Sequence, residues 1–217
     1  MTKRIGVLVA STRRHGNCER LAQRAVLPGL ESAGAEPRLM RLLDFRLSPC
    51  CACERCHETG ACVYHDGFDR FAAALEGLDA LAVIAPIYFG GPSAQFKALL
   101  DRFQAAWARR YVLGENDPLP VPDRTPLALV AVGGGSDEFG SSALATCVRS
   151  AMRMANFELV ALDERLGYVE QGGEAAALAH EEDTRAFAAW FAEELEAGGV
   201  RDLLAQVASE RAWGSGE

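Results

Sequence analysis

An α/β domain built on a doubly wound parallel sheet of about five strands, in the order 2-1-3-4-5, is the fold class the sequence predicts. Near-continuous apolar runs recur along the chain, segments with apolar residues at helical spacing lie between them, and turns rich in glycine or proline follow the runs. Runs without polar alternation suit strands buried on both faces. Strand followed by helix, repeated, calls for parallel pairing under two helical layers.

Ile5–Ala10 reads as the first strand, and Leu21, Ala22, Ala25 and Val26 as the inner face of the first helix. Pro37–Leu42 is a weaker second strand; Ala80–Ala85 and Leu127–Val132 are the third and fourth. Between the last two, Phe96, Leu99, Leu100, Phe103 and Trp107 share one helical stripe, and Leu159–Leu162 is the fifth strand. Phe187, Trp190, Phe191 and Leu195 recur at helical spacing in a C-terminal helical extension expected from about residue 178.

The 217 residues, 49% of them hydrophobic, suit a single domain over 1–217, with no internal repeat or dividing linker. A formal net charge of -8 offers no basic footprint for nucleic acid or an anionic membrane. No apolar stretch reaches the ~20 residues that span a bilayer. Met1–Arg4 runs directly into a strand without an apolar signal core, so the expected location is the cytoplasm.

In such sheets ligands bind beyond the carboxyl ends of the strands, where the strand order reverses. Three loops begin there. Ser11–Asn17 carries hydroxyls, Arg13, His15 and Gly16 ahead of a helix, a setting in which backbone N–H groups and the helix dipole hold a monophosphate. Its spacing is neither G-x-G-x-x-G nor a P-loop. Read blandly, Asn17 caps the helix and the arginines are solvated. Pro86–Pro92 combines Ile87, Tyr88 and Phe89 with Gly90, letting a flat ring approach the backbone, although the two aromatics also suit ordinary packing. Gly133–Ser136, with Gly134 and Gly135, exposes main-chain donors to a ring edge, or is a plain turn.

Of seven cysteines, five (Cys50, Cys51, Cys53, Cys56 and Cys62) crowd one loop over 48–66. In a reducing compartment this points to metal or redox chemistry rather than a disulfide framework. Cys50, Cys53, Cys56 and Cys62 form C-x2-C-x2-C-x5-C, a compact pattern that favours an iron–sulfur cluster over zinc, which more often uses two separated knuckles. Cysteines without an inorganic cluster and a zinc site stay open as readings. Cys51 is a fifth thiol, and His57 and His65 are surface groups beside the ligands.

Taken together, these segments resemble the flavodoxin-like NADPH-dependent FMN reductases over roughly residues 3 to 165. The likeness rests on Ser-x-Arg-x-x-Gly-Asn at Ser11–Asn17, Pro-Ile-Tyr-Phe at Pro86–Phe89 with Lys97, Asp101 and Arg102 in the next helix, and the glycine turn. Ser48–Asp66 resembles the iron–sulfur flavoprotein branch of that family, in which such a motif holds a [4Fe-4S] cluster near a flavin. The resemblance implies noncovalent FMN, its phosphate on the first loop and its ring against the second and third. Cys18 stands where the family usually has Ser or Thr, and Gly67-Phe68 where it commonly reads Asp-Met.

The function so implied is electron transfer through FMN and a [4Fe-4S] cluster, with NAD(P)H or a ferredoxin as donor and no side chain acting as the reacting group. Ser136 with Asp137, and His15 beside Cys18, are better explained by turn chemistry and phosphate binding than by a nucleophilic set. Homodimers or homotetramers are implied, and Trp107–Tyr111 and the helix near Trp190 are candidate contacts or core. The alternatives are a cluster-free NAD(P)H-dependent FMN or quinone reductase, a non-catalytic electron carrier, and a zinc-stabilised interaction domain.

Overall fold

The structure is a computed structural model that describes residues 2–115, 119–135, 140–167 and 174–212, the side chains of 174–177 and 210–212 excepted. Five parallel strands, β1 (Arg4–Val9), β2 (Glu36–Arg41), β3 (Ala80–Pro86), β4 (Thr125–Val132) and β5 (Phe157–Arg165), lie side by side in the order β2-β1-β3-β4-β5. This is the predicted order. β3 is buried along its whole length, as its unbroken apolar run requires, whereas the edge strand β2 is only partly covered.

Helices cover both faces. On one, α1 (Asn17–Leu21) runs through a π-helical turn, Ala22–Val26, into α2 (Leu27–Ser32), and Leu21, Ala25 and Val26 join Ile5, Val7 and Ile84 in one core layer. On the other, α4 (Gly67–Leu75), α5 (Ala94–Asp101) and α7 (Ser142–Met152) bury Phe71, Phe96, Leu99, Leu144 and Val148 against Leu8, Val83 and Leu129. The C-terminal α8 (Glu174–Ala197) adds Ala188, Phe191 and Ala192 to the first layer, and α9 (Gly199–Ala212) follows it. Among the described residues no helix is long and apolar enough to cross a membrane.

Two details differ from the sequence reading. Leu159–Leu162 is not buried on both faces: Val160 is half-buried and Leu162 exposed. The pairing explains this. Leu127 pairs with Leu159 and Ala128 with Ala161, so Val160 is an extra, bulged residue on a strand with a neighbour on one side only. The stripe from Phe96 to Trp107 is likewise two helices, α5 and α6 (Gln104–Tyr111), because the chain tightens to i→i+3 bonds from Arg102 to Leu99 and from Phe103 to Leu100. That tightening carries Arg102 into the interior, where it is 1% exposed.

Gly29 marks where α2 crosses α8: a β-carbon there would lie 2.5 Å from the Arg185 carbonyl oxygen and 2.9 Å from Ala188 Cβ. Replacing a helical glycine gains about 1 kcal/mol of helix propensity, but overpacking costs about 1–3 kcal/mol. Gly29→Ala is expected to lower stability in urea denaturation, and an unchanged or higher midpoint would show that the crossing yields easily.

Candidate functional site

The first loop leaves β1 at the carboxyl edge of the sheet, pinned where Ala10 N–H donates to the Ile84 carbonyl. Ser11 is buried and its hydroxyl accepts from Arg13 N–H at 3.2 Å. His15 takes a left-handed conformation, φ 56°, and Gly16 caps α1 without a side-chain hydrogen bond. Asn17 is therefore the first helical residue rather than the cap. The first amides of a helix have no partner within it, so this turn presents donors and the positive dipole end beside the exposed Arg13 and Arg14. Neither arginine forms an ion pair among the described residues. The donor set fits a phosphate monoester.

Glu19, unremarked in the sequence reading, closes this turn. Its carboxylate accepts from His15 N–H at 2.6 Å and from Arg41 Nε at 2.7 Å. The His15 amide, then Arg41, hold the Glu19 carboxyl below its usual range. Cys18 is buried beside Ser11 and Arg13, and burial pushes its thiol up to about 12, so at neutral pH it remains a thiol. The residue that replaces the family's hydroxyl is thus neutral.

The second loop leaves β3 with Pro86 buried and Ile87 N–H bonded to the Val132 carbonyl at 2.9 Å, which ties it to the end of β4. Tyr88 and Gly91 exchange hydrogen bonds of 2.9 and 3.0 Å, closing a tight hairpin with Phe89 and Gly90 at its tip. Both tip residues have positive φ, 51° and 75°. Glycine takes such a φ freely; a bulky aromatic does so only at a cost, and Phe89 is also fully exposed. Tyr88 is half-exposed, so ordinary core packing accounts for neither ring. Ser93 then caps α5 through Phe96 N–H.

The third loop starts at Gly133, whose N–H donates to the Arg165 carbonyl at 2.9 Å. A β-carbon there would lie 2.9 Å from Leu166 Cδ2, so a side chain would crowd the turn. Gly134 is exposed and Gly135 half-buried; Ser136 and Asp137 lie outside the described residues. The Gly90 carbonyl accepts from Leu144 N–H at 3.1 Å, joining the second loop to the start of α7. All three predicted flavin loops share one edge of the sheet.

The cysteines gather elsewhere, alongside the junction of α5 and α6. Cys50, Cys51, Cys53, Cys56 and Cys62 all line one cavity of about 410 Å³, with Tyr64, Arg102 and His57. Ala52 and Glu54 alternate with the cysteines in left-handed conformations, φ 53° and 58°, and Glu54 caps α3 (Arg55–Thr59). Among the described residues no three His, Cys, Asp or Glu side chains stand close enough to hold a single metal ion. An iron–sulfur cubane has several metals and sulfides inside its thiolate ring, so it takes a wider cage than a single ion does. His65 pairs with Asp69 at 3.5 Å, and His57 lies 5.9 Å from the Trp107 ring.

Asp66 and Arg102 hold this loop in shape, and neither was a predicted site residue. Arg102 Nη1 donates to Asp66 Oδ2 at 2.8 Å and to the Ser48 carbonyl at 2.9 Å, and Nη2 to the Tyr64 carbonyl at 3.0 Å. Asp66 also accepts from Ser48 N–H at 2.8 Å and caps α4 through Phe68 N–H at 3.0 Å. Burial pushes the Asp66 carboxyl up, but the Ser48 amide, Arg102 and the Phe68 amide outweigh it and hold the carboxyl below its usual range. Gly67 is equally constrained: a β-carbon would lie 2.5 Å from the Arg46 carbonyl oxygen and 2.6 Å from Arg46 N. The family's Asp does not fit there unless Arg46 moves. A sequence signal did exist for the pair, an arginine inside an apolar helical stripe.

Two outcomes are expected. Asp66→Asn leaves Arg102 buried without its counter-charge and is expected to cost about 3–5 kcal/mol in denaturant. Because the folded Asp66 pKa lies below the unfolded value of about 3.9, its contribution is complete above that pH and disappears as pH falls through the folded value, with the variant lacking this acid limb. In iron-free protein, iodoacetamide at mildly alkaline pH is expected to label the exposed Cys50, Cys51 and Cys53 and to spare Cys18 until the protein is unfolded, as read by peptide mass spectrometry.

Comparison with known proteins bears on the fold and the family. An iron-sulfur flavoprotein of Methanocaldococcus jannaschii is 37% identical over 92 residues, which are 42% of this chain and 47% of that protein. The match thus spans about half the length of the relative. RosB with bound 8-demethyl-8-formylriboflavin-5'-phosphate superposes with a TM-score of 0.66 at 16% identity, over 95% of this chain and 82% of that one. The NAD(P)H:quinone oxidoreductase of Methanothermobacter marburgensis superposes with a TM-score of 0.61 at 16% identity, over 90% and 98%. At these identities the structures establish the flavodoxin-like fold. The family model described as NADPH-dependent FMN reductase matches residues 3–161, so the chain belongs to the NADPH-dependent FMN reductase family.

Proposed function

We propose that this chain is an FMN-dependent oxidoreductase of the iron–sulfur flavoprotein type, passing electrons between a reduced donor, NAD(P)H or a ferredoxin, and an acceptor. The carrying observation is that all five clustered cysteines line one cavity, with left-handed residues between them, on a sheet whose carboxyl edge bears the three flavin loops. FMN when bound supplies one- and two-electron chemistry, and a [4Fe-4S] cluster supplies single-electron steps.

The chain's own residues do the rest. Ser11, Arg13, His15, Gly16 and Asn17 bind the phosphate through main-chain amides and guanidinium charge, beside the neutral Cys18 thiol. Tyr88 and Phe89 offer aromatic faces to the ring at the hairpin tip, with Pro86, Ile87 and Gly90 shaping the approach. Gly133, Gly134 and Gly135 bring main-chain donors to the ring edge. Cys50, Cys53, Cys56 and Cys62 hold the cluster, and Cys51 lines the same cavity. α5 connects the two regions, its eight residues running about 12 Å from Ser93 beside the flavin loops to Arg102 at the cysteine cavity.

The test is an ultraviolet–visible spectrum with iron and flavin assays on protein purified without oxygen, alongside Cys53→Ala. Flavin bands with a broad shoulder near ~400 nm and about four irons per chain, lost in the variant, are expected. Flavin without iron would leave a cluster-free NAD(P)H-dependent reductase, and absence of both would overturn the proposal.

A further inference from the structure

We infer that Arg102 is a positioning residue for Cys62 that sets the reduction potential of the cysteine-bound cluster, through a charged N–H donor held against that ligand; this rests on the cluster reading above. Arg102 is 1% exposed and lines the same cavity as the five cysteines. A guanidinium carries more N–H donors than the carbonyls of Ser48 and Tyr64 and the carboxylate of Asp66 occupy. Its Nε–H is buried and meets no acceptor among the described residues. An arginine guanidinium is not deprotonated in proteins, so the charge persists.

The packing around this charge is what makes it count. Tyr64 and Phe68 rings flank the guanidinium carbon at 5.4 and 5.1 Å, shielding it from solvent. A buried donor without an acceptor is costly, and a thiolate at Cys62 supplies both an acceptor and a counter-charge. Asp66 neutralises part of the guanidinium, and Arg102 and Cys62 line the same cavity.

The step concerned is one-electron reduction. One electron arrives from the reductant, dithionite in the assay, the sulfur ligands become more negative, no bond is made or broken, and Arg102 keeps its proton throughout. Fixed positive charge and hydrogen bonds to the sulfurs favour the reduced state and raise the potential.

The test uses the full chain, reconstituted anaerobically and assayed for iron, with midpoints read by electron paramagnetic resonance in dye-mediated titrations. Arg102→Gln is expected to make reduction at least tenfold less favourable, a shift of about 59 mV to lower potential for a one-electron couple. Arg102→Lys, which restores the charge without the fork, is expected to fall between. Because loss of Arg102 also loosens the loop, a second measurement uses the wild type: pulsed resonance of the reduced cluster in protein labelled with ¹⁵N-arginine is expected to show coupling to arginine nitrogen. Iron with no such coupling, or equal midpoints in folded, iron-loaded variants, would overturn the role of Arg102 alone. Wild-type protein that takes up no iron would overturn the cluster reading and this inference with it.

Discussion

The Arg102–Asp66 pair is the constraint on which the cysteine region depends. Between Ser48 and Asp66 the chain contributes no sheet strand and little core, Cys56 being its buried cysteine. Closing such a loop costs chain entropy that its own contacts do not offset. The pair recovers it by joining the Ser48 backbone, the Tyr64 carbonyl and the start of α4 to the end of α5. An ion pair this deep is favourable only when its hydrogen bonds are well made, and here the carboxylate also takes two backbone amides.

The edge that carries the three candidate flavin loops is built differently. Its loops are set by the ends of parallel strands, each tied to a neighbour through one backbone bond: Ala10 to Ile84, Ile87 to Val132, Gly133 to Arg165. Among the described residues no charge pair fixes their relative positions; the sheet does. The first loop adds an internal acid, Glu19, whose carboxylate holds the His15 amide and anchors Arg41 from β2. That arrangement gives the turn its shape and sets one negative charge beside the cationic residues.

Much of this was legible from residue order. The sheet could be read because buried parallel strands leave unbroken apolar runs, and β1, β3 and β4 have them. β5 was legible in place but not in burial, since a bulge at Val160 leaves no mark in composition. The shared edge of the three candidate loops was legible because strand order puts them together; the strained φ of Phe89 was not, because nothing local distinguishes it. The cysteine spacing was visible at once. The role of Asp66 and Arg102 was not, because their contact spans 36 residues and depends on how α5 ends.

The separate fastening of the cysteine loop has a consequence for assembly. A zinc finger without its metal is unfolded, because the metal is the fastening. Here the fastening is made of protein atoms, so the loop acquires its outline as the chain folds around Arg102. On the proposed reading, iron would then be inserted into a frame already held by Arg102 and Asp66, rather than being what folds it.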